Sequence, residues 1–143
     1  MCGWGYAYID IGFLGPSGLL DLKSLSKQLR EVIILRTCIS TRNHYEFNLH
    51  VQTISLIMGV SSEQIEDLKQ ERINTSLWSS ELCAVVSLVD ELVTCLDVSD
   101  NTFYKLRNYF DDAQLIEIVQ LVGIYTGVAM LVALIRPKLD NYR

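Results

Sequence analysis

Leu29-Arg30-Glu31-Val32-Ile33-Ile34-Leu35-Arg36 and, after a break at Thr41-Arg42, Asn43-His44-Tyr45-Glu46-Phe47-Asn48-Leu49-His50 decide how this chain reads. In the first stretch Leu25, Leu29, Val32, Ile33 and Leu35 to Arg36 recur with the 3.6-residue period of a helix, from about residue 24 or 26 to about residue 40. In the second, Glu46 and His50 stand four apart, one turn apart on a single helical face. Glu31 sits mid-way along the first helix. If the two helices pack as a hairpin, Glu31 faces the same cleft, and two carboxylates and an imidazole in an apolar helical core form a proton-handling site. The competing readings are a surface ion pair for Glu46 and His50, worth roughly a few tenths of a kcal/mol, and a solvent-facing Glu31 beside Arg30. The apolar neighbours Phe47, Leu49, Val51 and Leu56, and the apolar run around Glu31, raise the weight of the buried arrangement. His44, six residues from His50, points to a different side and reads as exposed.

Outward from these two stretches the chain continues in helical period. Asn43 is an N-cap for the second helix, which is expected to end at Gly59. Ser61-Ser62-Glu63-Gln64 is a capping box opening a third, acidic helix to about Arg72. A loop over residues 74–78 leads to a fourth helix from about Ser79 to Leu96. Ser99 or Asp100 opens a short fifth helix to about Phe110. Asp111 and Gln114 form another capping box, and the sixth helix runs to about Ile135, where Pro137 stops it. Residues 1–22 hold five of the eight glycines, with turn chemistry at Gly15-Pro16-Ser17-Gly18 and a short apolar docking segment at residues 9–14. Gly-Lys-Ser/Thr is missing, so this is no phosphate loop. The expected organisation is an irregular segment over 1–22 and one helical domain over 23–143. The fold class is all-α, a compact bundle of about six helices.

The 143 residues suffice for one domain with a core, and half are hydrophobic. A net charge of -5 with singly scattered Lys and Arg offers no basic stripe, which argues against nucleic acid as a partner. The start of the chain lacks a basic leader region, and a cytoplasmic location is expected. The uncharged run from Leu121 to Ile135 is 15 residues, shorter than the roughly 20 a span needs. It reads as a buried core helix, with Gly123 and Gly127 at a close helix crossing, and no membrane partner is expected.

Cys2, Cys38, Cys83 and Cys95 form neither Cys-x-x-Cys nor zinc spacing. They read as buried free thiols of a reducing compartment. The alternative is a redox role for Cys38, near Arg36 and Arg42 in sequence. Carboxylate-bridged iron sites usually carry Glu-x-x-His twice, whereas this chain has Glu-x-x-x-His once, so no metal ligand set is assigned.

The ordered series Arg30-Glu31 into Val-Ile-Ile-Leu-Arg, Tyr45-Glu46-Phe47 with His50, Met58-Gly59-Val60-Ser61, Val98-Ser99-Asp100, and Asp112-Ala113-Gln114-Leu115-Ile116-Glu117 before Gly123-Ile124-Tyr125 resembles the carboxymuconolactone decarboxylase family. The resemblance spans about residues 20 to 140. It implies the all-helical fold of alkylhydroperoxidase D and assembly as a homo-oligomer, trimer or hexamer. The peroxidase branch of that family carries Cys-x-x-Cys-x-x-x-His and a glutamate on the preceding helix. Set on this chain, the histidine falls on His50, the glutamate on Glu31, and the two cysteines on Asn43 and Glu46. Both thiols are absent, which argues against disulfide-based peroxide reduction. The decarboxylase branch has the Tyr-Glu-aromatic-x-x-His form found here, with Phe47 where tryptophan is usual. It acts on small lactone carboxylates without a cofactor.

The expected function is a cofactor-independent acid–base enzyme of the decarboxylase or lactone-processing type, acting on a small oxygenated organic substrate. Glu31, Glu46 and His50 are its catalytic residues, with His50 as general acid or base. Asn43, Tyr45 and Arg36 are the candidate substrate contacts, Asn43 as a donor to a substrate oxygen, although Tyr45 and Phe47 read chiefly as packing groups. The alternatives are a peroxidase-type oxidoreductase of the same fold and a non-catalytic oligomeric family member.

Overall fold

The computed structural model describes residues 24–139 and 141. The Gly-rich segment read over 1–22, its turn, its apolar stretch and Cys2 lie outside the described residues. Among the described residues six α-helices and one 3-10 turn form the regular structure, with no strand. They are α1 Lys27–Ser40, α2 His44–Thr53, α3 Ser62–Leu68, the turn Thr75–Leu77, α4 Ser80–Cys95, α5 Asp100–Arg107 and α6 Asp112–Ile135. Every helix begins at a side-chain cap: Ser26, Asn43, Ser61, Ser79, Ser99 and Asp111 each accept a hydrogen bond from the amide three residues on. Such caps contribute about 1 kcal/mol each. Both expected capping boxes are formed. α4 and α6 end at Leu96 and Arg136 in left-handed backbone, with φ of 53° and 52°.

α1 lies at the centre, packed chiefly on α4 and α6 and touching α2 and α3. Val32, Ile33 and Leu35 of α1 meet a core that includes Val85 and Val89 of α4 and Ile118 and Leu121 of α6, all fully buried. Ten consecutive residues, Leu29 to Cys38, are buried, so α1 is enclosed on all sides rather than amphipathic. Its charged residues Arg30, Glu31 and Arg36 are therefore inside, where each needs a partner. Arg30 pairs with Glu117 of α6 at 3.1 Å, and the Ser24 hydroxyl also donates to Glu117. Arg36 meets Asp90 of α4 at 2.6 and 2.7 Å. Glu31 turns toward α2.

Three elements depart from the sequence expectation. α2 stops at Thr53, not Gly59: the amides of Ile54 and Ser55 both donate to the His50 carbonyl, and the chain turns until Gly59 at φ +91°. α3 stops at Leu68, not Arg72. The Arg36 guanidinium donates to the carbonyls of Leu68, Gln70 and Glu71 at 2.7, 2.8 and 3.1 Å, taking acceptors that a continuing helix would use. The loop over 74–78 holds a 3-10 turn, fixed by Asp67, which accepts from the Asn74 amide and the Trp78 indole.

α6 also corrects an expectation. Its inner face is buried through Ile118, Leu121, Val122, Tyr125 and Val128. Its outer face exposes Ile116, Val119, Met130, Leu134 and Ile135. A Cβ at Gly123 or Gly127 would meet nothing within 4 Å, so no helix crosses closely there among the described residues. The whole helix has 24 residues and is long and apolar enough to cross a membrane by length and composition.

Candidate functional site

Four segments meet at the site, α1 among them. α1 supplies Glu31 and Cys38, α2 supplies Glu46 and His50, the turn after α2 supplies Ser55, and α6 supplies Tyr125. Asn43 starts α2 by accepting from the Glu46 amide at 3.3 Å, which sets the phase of the helix so that Glu46 and His50 face α1. Both oxygens of Glu31 lie 3.1 Å from His50 Nδ1. The Ser55 hydroxyl, fully buried, donates to Glu31 Oε1 at 2.6 Å. On the other side of the ring, Glu46 Oε1 is 3.7 Å from His50 Nε2, and the Tyr125 hydroxyl is 3.4 Å from the same nitrogen. The Tyr125 ring stands edge-on to the imidazole, 5.7 Å between centroids at 79°.

Glu31 is 2% exposed and Glu46 8%, so neither is a surface ion-pair member. The low dielectric strengthens each interaction among these groups and raises the cost of leaving any of them unmatched. Two carboxylates flank one imidazole, one at each nitrogen. That arrangement places a carboxylate acceptor at each ring nitrogen.

The structure brings together Glu31, Glu46 and His50, with Asn43 at the start of the same helix. Asn43 is 3% exposed, and its Nδ2 is a buried donor with no hydrogen-bond acceptor among the described residues. Tyr45 is half-buried on the first turn of α2, and His44 is exposed. Phe47 is a core side chain, with the Lys69 ammonium 5.7 Å from its ring centroid. Arg36 stands apart from this group. Its guanidinium points away from His50, engaged by Asp90 and three carbonyls. It ties α1 to α3 and α4.

Cys38 is buried close to both carboxylates. Burial pushes its thiol well above the usual thiol range, and the Glu46 and Glu31 charges push it further. The positive surroundings that nearby arginines suggested in sequence are absent, because Arg36 faces Asp90 and Arg42 is exposed on left-handed backbone at φ 57°. Cys38, Cys83 and Cys95 are all free thiols.

No family model matches the chain, and no curated protein matches it. A crystal structure from Agrobacterium tumefaciens does. It is of a protein of unknown function described as a candidate antioxidant defence protein, AhpD, and it superposes with a TM-score of 0.73 over 95% of this chain and 86% of that one, at 20% identity. The chain has the AhpD-like fold. At that identity the likeness establishes the fold alone.

Within the AhpD-like bundle, Ser55 and Tyr125 are the site residues that sequence reading missed. Each carried a signal. Ser55 is a lone hydroxyl in Ile54-Ser55-Leu56-Ile57, and Tyr125 is a phenol in a long apolar helix; buried hydroxyls need partners.

Proposed function

We propose that this chain is a cofactor-independent acid–base enzyme that decarboxylates or opens a small oxygenated organic acid, a lactone carboxylate or β-keto acid. The observation that carries the reading is the enclosure of His50 between Glu31 at Nδ1 and Glu46 at Nε2. Glu31, held by Ser55, fixes the ring and supports its charged form. Nε2 is then the nitrogen that exchanges protons with substrate, and Glu46 is the second proton acceptor beside it. In decarboxylation the C–C bond to the carboxylate breaks, CO2 leaves, and the electron pair passes into the adjacent carbonyl as an enolate. A proton from His50 Nε2 then restores the carbon. Asn43 Nδ2, a buried donor on the same helix, suits the substrate oxygen on which charge develops.

The test is a turnover assay on a panel of lactone carboxylates and β-keto acids with wild type and His50→Ala. General acid–base catalysis contributes roughly 100- to 10,000-fold, and a loss of that order in kcat/KM is expected. Equal pH–rate profiles for the two proteins would contradict the reading.

The second reading is peroxide reduction, favoured by the description of the Agrobacterium protein. Its thiol version would use Cys38, whose raised pKa makes it a poor nucleophile. Peroxide turnover abolished by thiol alkylation would support it. In either case the bare outer face of α6 suits a homo-oligomer, a trimer or hexamer.

A further inference from the structure

We infer that Tyr125 is a positioning residue of this site, acting through His50 by holding its Nε2 in the proton-accepting state against the pull of Glu46. The inference rests on the acid–base reading above and adds to it a residue and a division of labour.

Tyr125 comes from α6, an otherwise largely apolar helix. Its side chain is 6% exposed, and a phenol buried that deeply is ordinarily hydrogen-bonded. The hydroxyl reaches His50 Nε2 at 3.4 Å, with the ring edge-on to the imidazole. At the other nitrogen, Glu31 presents both oxygens at 3.1 Å and itself accepts from Ser55. A carboxylate accepts only, so Nδ1 carries the hydrogen whichever charge state the ring adopts. Nε2 is left as the nitrogen that gains and loses a proton.

Among the described residues, the groups around that event are Glu31 and Cys38 on α1, Glu46 on α2 and Tyr125 on α6. With the ring neutral, the Nε2 lone pair accepts from the Tyr125 hydroxyl. With the ring charged, Nε2–H is drawn to Glu46 at 3.7 Å. Tyr125 therefore favours the neutral imidazole and Glu46 the charged one. Two residues opposing each other at a single nitrogen keep His50 exchangeable, where two carboxylates alone would lock the proton on.

Opposite signs make the test. His50 is titrated by nitrogen-15 NMR in wild type, Tyr125→Phe and Glu46→Gln. The expected result is that Tyr125→Phe raises the His50 pKa, Glu46→Gln lowers it, and the neutral ring of the wild type carries its hydrogen on Nδ1. If Glu46→Gln shifts the titration and Tyr125→Phe does not, Tyr125 is packing only and the inference falls while the acid–base reading stands. If neither moves it, the coupled site itself fails. The wild-type tautomer needs no variant: a neutral ring protonated at Nε2 overturns the inference directly.

Discussion

Both carboxylate oxygens of Glu31 lie 3.1 Å from His50 Nδ1, across 19 residues of sequence. The contact exists because α1 is buried on all sides, so Glu31 has no path to water and α2 must bring it a partner. Ser55 completes the arrangement from the turn where α2 breaks.

Ser55→Ala removes a hydrogen bond to a buried carboxylate. Bonds to charged groups are worth about 1.5–3 kcal/mol, and a loss of stability in that range is expected in denaturant titration. Glu31 then loses its fixed rotamer, so activity on any substrate identified should fall more than in a surface serine control.

Arg36→Ala separates the structural cation from the site. It leaves Asp90 without its cation, though still bonded to the Ser40 hydroxyl, and three carbonyls without their guanidinium donor. Breaking a largely buried pair costs about 3–5 kcal/mol, and Asp90, partly solvated, puts the expected loss toward the lower end. The His50 titration should not change. A shifted His50 with unchanged stability would return Arg36 to the site.

Cys38 gives a pH dependence with a definite sign. Its thiol is raised in the native state by burial and by Glu46 and Glu31, while the unfolded thiol ionises near its ordinary value. The unfolded state therefore releases a proton that the native state keeps. The stability tied to this proton is complete below the ordinary thiol range and declines as pH rises through and above it. Cys38→Ala should flatten this alkaline decline. In the native protein Cys38 should resist iodoacetamide at neutral pH and react only on unfolding.

The outer face of α6 predicts association. Met130 is 69% and Leu134 80% exposed, and Gly123 and Gly127 leave room for a close approach. If the chain associates through this face, Met130→Glu with Leu134→Glu should leave it monomeric in sedimentation velocity, with little change in helix content. A wild-type monomer at micromolar concentration would contradict the assembly reading.

Local signals in this chain were legible and tertiary ones were not. Helix starts followed from Ser, Asn and Asp caps, because a cap is a contact within three residues. Helix ends at Thr53 and Leu68 were missed, because Ser55 turning to Glu31 and Arg36 seizing three carbonyls are decisions made by other helices. The Glu31–Glu46–His50 cluster was foreseeable from one i,i+4 pair and one charge in an apolar run. The phenol of Tyr125 in an apolar helix signalled a need for a partner, but not its place beside His50, since nothing within α6 says which of its turns faces α2. The bareness of α6 was hidden too, because an apolar helix reads alike whether a core or a partner covers it.

The most direct measurement is the titration of His50 by NMR in wild type and Glu46→Gln. Removing the Glu46 charge is expected to lower the His50 pKa clearly, because the two groups share a shielded site. A His50 that titrates like a free imidazole and ignores Glu46 would contradict it.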